Sequence, residues 1–188
     1  MIIFMGVVGS GKSVQGRKLA DVLCLPWLST GEFLRMLISG QTRKDMIEGK
    51  LLDDDQMISL VQKIFSVVDT DHEFILDGFP RTVGQADWLL NQLKYGQLKV
   101  SAVIHLVASS DIVKERLLSR GRPDDNADAI ELRLKEYDRT ILPVLEELKN
   151  NNVKVYDINA EQNVEEVHDE ILKAVKANLA NDSNNQNR

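Results

Sequence analysis

The chain has one cysteine, Cys24, among its 188 residues. A single thiol cannot form an intramolecular disulfide or a multi-cysteine zinc site. The sequence also lacks an apolar run near the roughly 18 residues that a membrane-spanning helix needs. Its opening residues, Met1–Met5, lack the basic flank and the small-residue cleavage site of a signal peptide. We therefore expect a protein of the reducing cytoplasm without a membrane anchor.

Positive charge is also in short supply. The 23 lysines and arginines are outnumbered by 29 acidic residues, and the net charge is −6. This balance disfavours binding to nucleic acid or to an anionic membrane. Any site for phosphate groups must therefore gather its basic residues locally. The tail at 181–188 has no apolar residue to bury, so we expect it to be disordered, and we predict one domain at 1–180, acting as a monomer.

Short apolar runs alternate with amphipathic segments, which is typical of a parallel sheet covered by helices. We predict strands at 2–5, 26–28, 74–76, 102–107 and 153–157. We predict helices near 12–23, 55–68, 83–94, 111–119, 127–149 and 164–179. Pro143 lies inside the fifth helix and should kink or split it. Two segments interrupt the alternation. Thr30 to about Leu52 has a helical pattern but brings no strand, so we expect an insertion over one end of the sheet, and the polar, arginine-rich segment 116–126 is predicted to be a mobile loop. Among the histidines, His105 is expected to be a core or sheet-edge residue.

The segment Gly6-Val-Val-Gly-Ser-Gly-Lys-Ser13 matches the phosphate-binding pattern G-x-x-x-x-G-K-[ST] at every fixed position. A β-like run precedes it and an amphipathic helix follows it. The glycines allow successive backbone N–H groups to point inward, and the helix N-terminus adds its dipole. Lys12 is predicted to reach the β- and γ-phosphates of a nucleotide, and Ser13 to offer its hydroxyl to Mg²⁺. An ordinary glycine-rich turn is disfavoured because every fixed position and both flanks agree.

A phosphate loop of this kind occurs in kinases, GTPases and motor ATPases. A GTPase would also need an N-K-x-D-like motif and a D-x-x-G loop, and the sequence has neither. Motor and helicase cores normally need a longer chain than this one. A small-molecule kinase is therefore the class that the sequence favours.

A second group of residues follows the apolar run at 74–76. Asp77 ends this run, and a carboxylate at the end of a buried strand can hold the waters of Mg²⁺, although a turn cap is the alternative. Arg81 follows a Gly-Phe-Pro turn and suits bidentate contact with phosphate oxygens. Arg35 lies on the helical insertion. Either arginine alone would more often form a surface ion pair, but beside the phosphate loop they favour a second phosphate site.

Four motifs, in order along nearly the whole chain, resemble those of the adenylate kinase family. Ser29-Thr-Gly-Glu-Phe-Leu-Arg35 is similar to the family's T-G-[DE]-x-x-R segment, and Gly49-Lys-Leu-Leu-Asp53 to its G-K-L-V-[PTS]-D-like stretch. Asp77-Gly-Phe-Pro-Arg-Thr82 with Gln85 and Ala86 resembles its D-G-F-P-R-T-x-x-Q-A signature. Gly121-Arg-Pro-Asp-Asp-Asn126, followed by Arg133, resembles the end of its short lid.

The resemblance implies an α/β P-loop NTPase core of three layers that carries an AMP-binding insertion at about 30–59 and a minimal lid at about 116–126. The implied reaction is ATP + AMP = 2 ADP, with Mg²⁺ carried by the nucleotide and held through water by Ser13 and Asp77. No zinc is expected, because the lid has neither cysteine nor histidine.

The implied ATP-binding residues are Gly9, Ser10, Gly11, Lys12, Ser13, Val14, Arg116 and Arg120. The implied AMP-binding residues are Thr30, Gly31, Arg35, Gly78, Arg81, Gln85, Arg122 and Arg133. The implied catalytic residues are Lys12, Arg81, Arg120, Arg122 and Arg133.

Three departures from the family pattern are visible. Ser13 and Val14 stand where the family usually has glycine and threonine, Val8 stands where it often has proline, and Arg120-Gly121-Arg122 shortens the lid. A UMP/CMP kinase is the nearest alternative, but the amide of Gln85 suits the edge of adenine. A non-catalytic nucleotide sensor is a further alternative, but it would require the loss of a phosphate-contacting group, and these groups are all present.

Overall fold

Five parallel strands form the central sheet of the computed structural model, which describes residues 1–48, 52–122 and 125–185. The strands are β1 (Ile2–Gly6), β2 (Trp27–Ser29), β3 (Ile75–Asp77), β4 (Ala102–Val107) and β5 (Val155–Asn159). Their order in the sheet is β2-β3-β1-β4-β5, and each of the four pairings is parallel. The chain moves from β1 to one side of the sheet and later to the other. In open α/β sheets, ligands bind at the carboxyl ends of the strands where this reversal occurs.

The helices bounded by the structure are α1 (Lys12–Leu23), α2 (Thr30–Leu37), α3 (Gly40–Ile47), α4 (Asp54–Phe65), α5 (Val83–Lys94), α6 (Ser110–Arg120), α7 (Ala127–Glu136), α8 (Leu142–Asn150) and α9 (Val164–Asn185). A π-helical segment, Tyr137–Ile141, joins α7 to α8. None of the helices within the described ranges combines the length and apolar character that a membrane crossing demands.

Helices cover both faces of the sheet. Successive side chains of a strand point to opposite faces, so Ile3 and Met5 of β1 pack with α4, α5 and α8 on one side. Ile2 and Phe4 pack on the other side, against α1 and α9. All four side chains are buried, which explains why β1 reads as a continuous apolar run rather than an alternating one.

Side-chain caps set the first residue of several helices. Ser29 accepts a hydrogen bond from the backbone of Glu32 at the start of α2, and Asp53 accepts one from Gln56 at the start of α4. Thr82 and Asn126 cap α5 and α7 in the same way. Each such cap stabilises a helix by about 1 kcal/mol. These helices flank the carboxyl ends of the strands, so the caps also position the walls of the site described below.

The predicted α/β fold with a parallel sheet is confirmed, and the five strands lie within two residues of their predicted positions. The predicted interruption near Pro143 is confirmed: the π-helical segment ends at Ile141, and α8 begins at Leu142 with Pro143 in its first turn. The predicted loop at 116–126 was wrong in its first half. The helix α6 continues through Arg120, since its first breaker is Gly121, which adopts a left-handed φ of 64°.

The expected disorder from residue 181 also differs from the structure, in which α9 continues to Asn185 because no proline or glycine interrupts it. The remaining tail residues, 186–188, lie outside the described residues. So do 49–51 of the second family-like motif, and 123 and 124 of the fourth.

Candidate active site

A cavity of about 460 Å³ opens at the carboxyl ends of β1 and β3. Fifteen of the site residues named from the sequence line it: Gly9, Ser10, Gly11, Lys12, Ser13, Val14, Gly31, Arg35, Asp77, Gly78, Arg81, Arg116, Arg120, Arg122 and Arg133. Two others, Thr30 and Gln85, do not belong to its lining. The structure therefore brings together residues from four helices (α1, α2, α6 and α7), from the end of β3 and from the loops beside them.

The phosphate loop connects β1 to α1. Gly9 and Gly11 have φ values of 81° and 97°, a backbone region that residues with a Cβ rarely adopt. A Cβ on Gly9 would also lie 2.9 Å from the side chain of Leu117, so α6 packs directly on the loop. The amides at the start of α1 have no acidic side chain in the first turn to satisfy them. This leaves a helix terminus suited to an anion.

Lys12 folds back over this loop. Its Nζ donates to the carbonyl oxygens of Gly6 and Val7, each at 2.8 Å. Burial lowers the pKa of Lys12 to about 8, against the opposing influence of the Asp77 carboxylate, and the cations Arg81 and Arg120 lower it further. The charges of the protein itself thus compensate this ammonium poorly, and a phosphate group would supply further negative charge.

Ser13 and Asp77 lie together beside the lysine. The hydroxyl of Ser13 donates to Oδ2 of Asp77 at 2.7 Å, and Asp77 is 3% exposed at the end of β3. A hydroxyl and a carboxylate are oxygen ligands of the kind that Mg²⁺ prefers, with waters and substrate phosphates completing its six ligands. The pair therefore fits the predicted magnesium site.

The arginines are held by buried carboxylate and carbonyl oxygens. Arg120 donates from Nε and Nη2 to the two oxygens of Asp125, at 2.8 and 2.6 Å. The same carboxylate accepts from the backbone N–H of Arg122 at 3.1 Å and lies 4.0 Å from Nη1 of Arg133. Although burial acts to raise it, these contacts lower the pKa of Asp125. Asp125 therefore stays ionised, pairs with the guanidinium of Arg120, lies near that of Arg133 and holds the backbone of Arg122.

Glu32 performs a similar task between two walls of the cavity. Its Oε1 accepts from Nη2 of Arg35 at 2.9 Å and lies 3.3 Å from Nη2 of Arg122. The hydrogen bond from Arg35 lowers the pKa of the Glu32 carboxyl. Neither Glu32 nor Asp125 was assigned a role from the sequence. The signal was present in both cases, since each is an acidic residue set among the arginines of a recognised motif.

Arg81 follows a tight turn in which position 78 has no room for a side chain. Its Nε donates to the carbonyl oxygen of Gly78 at 2.8 Å. Gly78 has a φ of 91°, and a Cβ there would lie 2.8 Å from Nη2 of Arg81 and 2.7 Å from the hydroxyl of Thr30. Burial lowers the pKa of Arg81. A guanidinium nevertheless remains charged in proteins, so Arg81 is a desolvated cation at the cavity wall.

Thr30 and Gln85 lie behind the cavity wall and support this turn. Thr30 donates to the carbonyl oxygens of Asp77 and Gly78 at 3.2 and 3.0 Å. Gln85 is 1% exposed, accepts from the backbone N–H of Arg81 at 2.8 Å, and donates to Asp54 at 2.9 Å. In this conformation the amide of Gln85 is occupied by protein groups. Its contact with a base therefore stays a prediction that requires Asp54 to move.

A phosphate loop after the first strand, a carboxylate after the neighbouring strand and a ring of arginines define a P-loop NTPase core with a site for polyphosphate. Comparison with known proteins agrees. A sequence model described as "Adenylate kinase" matches residues 4–153. The adenylate kinase of Corynebacterium urealyticum is 37% identical over 180 residues, covering 93% of this chain and 98% of the relative. Adenylate kinase 1 of Synechocystis is 35% identical over 181 residues, covering 93% and 96%. The chain belongs to the adenylate kinase family, and it is a phosphotransferase.

Proposed function

We propose that this protein is an adenylate kinase that transfers the γ-phosphoryl group of Mg²⁺-ATP to AMP and the reverse, as in ATP + AMP = 2 ADP. The observation that carries the proposal is one cavity lined by two groups of cations from different parts of the chain. Lys12 with the phosphate loop is one group, and Arg35 with Arg81 is the other. The remaining arginines of the lining can stabilise the charge that develops between them.

The donor would lie along the phosphate loop. Its phosphates would accept from the loop amides and contact Lys12, with Arg120 beside them. Farther along, Arg116 donates to the carbonyl oxygen of Ala160 at 2.8 Å, and Gln162 and Val164 continue the lining. This end of the cavity, between α6 and the start of α9, supports a base-binding wall for ATP.

The acceptor would lie on the other side of the loop. Arg35 and Arg81 are positioned to hold the single phosphate of AMP, and apolar side chains beyond them suit a base. These apolar lining residues are Leu34, Met46, Leu52 and Met57. We propose that the segment at about 30–59, which supplies them, is the AMP-binding insertion, and that residues near 116–126 act as a small lid over the donor.

The chemistry would be in-line transfer without a covalent enzyme intermediate. Phosphoryl transfer of this kind depends on alignment and on cations that stabilise the charge of the equatorial oxygens. Lys12, Arg122 and Arg133 are the residues we assign to that stabilisation. Ser13 and Asp77 would hold Mg²⁺, directly or through water, and the ion when bound neutralises phosphate charge. All these groups come from one chain, which supports a monomer as the active unit. One cysteine, Cys24, fits a reducing compartment such as the cytoplasm.

Acceptor competition tests the proposal directly. ADP formation from Mg²⁺-ATP should be measured with AMP, CMP, UMP and GMP as acceptors, each over a full concentration series. We expect AMP to give the highest kcat/KM, because a base that leaves a buried polar group unpaired loses roughly 1–3 kcal/mol per group. A higher kcat/KM with CMP or UMP would identify a pyrimidine nucleotide kinase instead. ATP consumption that no acceptor accelerates would contradict a kinase function.

A further inference from the structure

A hydrogen-bonded chain of three side chains runs beneath the cavity. His105 on β4 and Asp157 on β5 are register partners and therefore lie side by side on the same face of the sheet. Nδ1 of His105 lies 2.6 Å from Oδ1 of Asp157, and its Nε2 lies 2.6 Å from the hydroxyl of Tyr137. The ring of His105 also stacks on that of Tyr137, with centroids 6.2 Å apart and planes 19° apart. Of the three, Tyr137 lines the cavity.

The proton positions in this chain follow from the ionisation of its ends. Burial raises the pKa of Tyr137 to about 12, so the phenol keeps its proton and donates it to Nε2 of His105. Burial also lowers the pKa of His105, a residue that is 5% exposed, and so favours the neutral imidazole. Its remaining proton must then lie on Nδ1 and point to Asp157. That carboxylate has a lowered pKa, because the hydrogen bond from His105 and the nearby Lys149 outweigh its burial. Each donor therefore meets an acceptor.

Tyr137 stands at a special point of the backbone. It begins the π-helical segment Tyr137–Ile141, and its backbone N–H donates to the carbonyl oxygen of Arg133. A π-helical turn is rare because its geometry is less favourable than that of an α-helix, and it depends on local compensation. Part of this comes from Thr140, whose hydroxyl donates to the carbonyl oxygen of Glu136 at 2.6 Å. The hydrogen bond between Tyr137 and His105 is a second contact, and it ties the first residue of the turn to the sheet.

Arg133 lies four residues before Tyr137, on the same face of the helix. Its Nη2 donates to the carbonyl oxygen of Met46 at 3.1 Å, and its Nη1 lies 4.0 Å from Asp125. A shift of α7 along its axis would move this guanidinium relative to the phosphate loop. Displacements of about 1 Å at a reacting site can cost on the order of 10²-fold in rate.

We propose that His105 is a positioning residue for phosphoryl transfer: by holding Tyr137 against the sheet, it fixes the π-helical turn and, through it, the location of Arg133 in the cavity. The inference rests on the proposed function, because it uses the role assigned to Arg133 there. The proposal gives a role in the reaction to His105 on β4 and Asp157 on β5, two residues that do not line the cavity.

Two variants remove the hydrogen bond between Tyr137 and His105, one from each side. Tyr137→Phe deletes the hydroxyl and keeps the ring, and His105→Phe removes both ring nitrogens. We expect each variant to lower kcat about tenfold while changing the KM of ATP and of AMP less than about twofold, since a misplaced Arg133 acts mainly on the transition state. Tyr156→Phe is the matched control. It makes the same chemical change one residue from Asp157 but on the opposite face of the sheet, where Tyr156 packs, and it should keep the parent kcat.

Combining variants separates positioning from mere stabilisation. In an Arg133→Lys background, Tyr137→Phe should lower kcat less than about twofold, because the residue it positions is already impaired. His105→Gln, which returns an acceptor near the position of Nε2, should recover most of the parent kcat. Circular dichroism and thermal unfolding should verify that each variant is folded at the assay temperature.

Three results would overturn the proposal. The first is a folded Tyr137→Phe protein with a parent-like kcat and only a lower Tm. The second is a full tenfold effect that persists in the Arg133→Lys background. The third is a His105→Gln protein as slow as His105→Phe. Failure of the proposed function would look different, since the parent protein itself would then form no ADP from ATP and AMP.

Discussion

The hydroxyl of Ser13, in the first turn of α1, donates to Oδ2 of Asp77, at the end of β3, over 2.7 Å. The two residues are 64 positions apart in the chain. Their contact joins the phosphate loop to the neighbouring strand and presents two oxygen atoms to the cavity. We expect Asp77→Asn to weaken the response to Mg²⁺ by about 10–100-fold, the range found when metal-site partners are removed. A titration of ADP formation against Mg²⁺ at fixed ATP measures this.

The control for that prediction is Asp71→Asn, which removes an exposed carboxylate outside the cavity. It should leave the Mg²⁺ titration unchanged. An Asp77→Asn protein with the parent's Mg²⁺ dependence would show that Asp77 does not hold the ion.

Proton uptake should accompany nucleotide binding at high pH. Burial lowers the pKa of Lys12 to about 8, and the phosphates of a bound nucleotide should raise it. Well below pH 8 the lysine is charged with or without nucleotide. Above pH 8 the nucleotide-free protein has lost the proton and must regain it on binding, so affinity should fall by up to tenfold per pH unit. Calorimetry at pH 9 in two buffers of different ionisation enthalpy should show uptake of about one proton.

Lys12→Arg provides the comparison, because arginine remains charged over this range. Its nucleotide binding, if strong enough to measure, should show no such uptake at pH 9. A parent protein whose binding enthalpy is the same in both buffers would mean that the proton is not taken up, and the low pKa would have to be abandoned.

Gly78→Ala should damage the acceptor side of the cavity selectively. The added Cβ would lie 2.7 Å from the Thr30 hydroxyl and 2.8 Å from Nη2 of Arg81, at a φ of 91°. Thr30 and Arg81 must then shift, and a displaced Arg81 would lose its proposed contact with the phosphate of AMP. We expect the KM of AMP to rise more than about tenfold, and the KM of ATP to rise much less, since one charged hydrogen bond is worth about 1.5–3 kcal/mol.

Gly96→Ala is a matched control for this variant. Gly96 also has a left-handed φ, 67°, but a Cβ there would meet nothing within 4 Å. It should therefore lose stability, by roughly 1–2 kcal/mol, without any change in KM. If both glycine variants raised the KM of AMP equally, the effect would come from backbone strain and not from Arg81.

Acid should destabilise the fold through His168. This residue on α9 is 4% exposed, and neither ring nitrogen has a hydrogen-bond partner among the described residues. Burial lowers its pKa, as it does that of His105. Below about pH 6.5 these histidines are protonated in the unfolded chain but stay neutral in the folded chain. The free energy of unfolding should decline from there, by at most about 1.4 kcal/mol per pH unit for each histidine, and should level off below the folded pKa.

Urea unfolding at pH 7.5 and pH 5.5 measures this decline, and His168→Leu should reduce it. The exposed His72 provides the control, because His72→Leu leaves the buried ring in place. A His168→Leu protein that loses as much stability between the two pH values as the parent would assign the acid sensitivity to other groups.

Much of the fold and the site was open to prediction from local pattern. Apolar runs in alternation with amphipathic segments determined the α/β class, since a strand covered on both faces must be apolar throughout. The eight residues of the phosphate loop are contiguous, so their glycines and Lys12 determine the backbone and its chemistry together. Asp77 and Arg81 were found because each stands beside a short, recognisable run. These are properties of neighbouring residues, which a linear sequence contains in full.

Tertiary structure alone decided which side chains pair. Asp125 and Glu32 contact the arginines, and Gln85 is bound to Asp54 rather than exposed in the cavity. His105 contacts Tyr137 and Asp157, which are 32 and 52 residues away in the chain. A hydrogen bond of this kind forms only where the packing of helices and strands brings two groups together. In the sequence alone, many carboxylates and hydroxyls are chemically equivalent candidates for the same partner. The sequence therefore determined the kinds of group that this protein brings to phosphate, and the packing of its layers decided which carboxylate or hydroxyl holds each one in place.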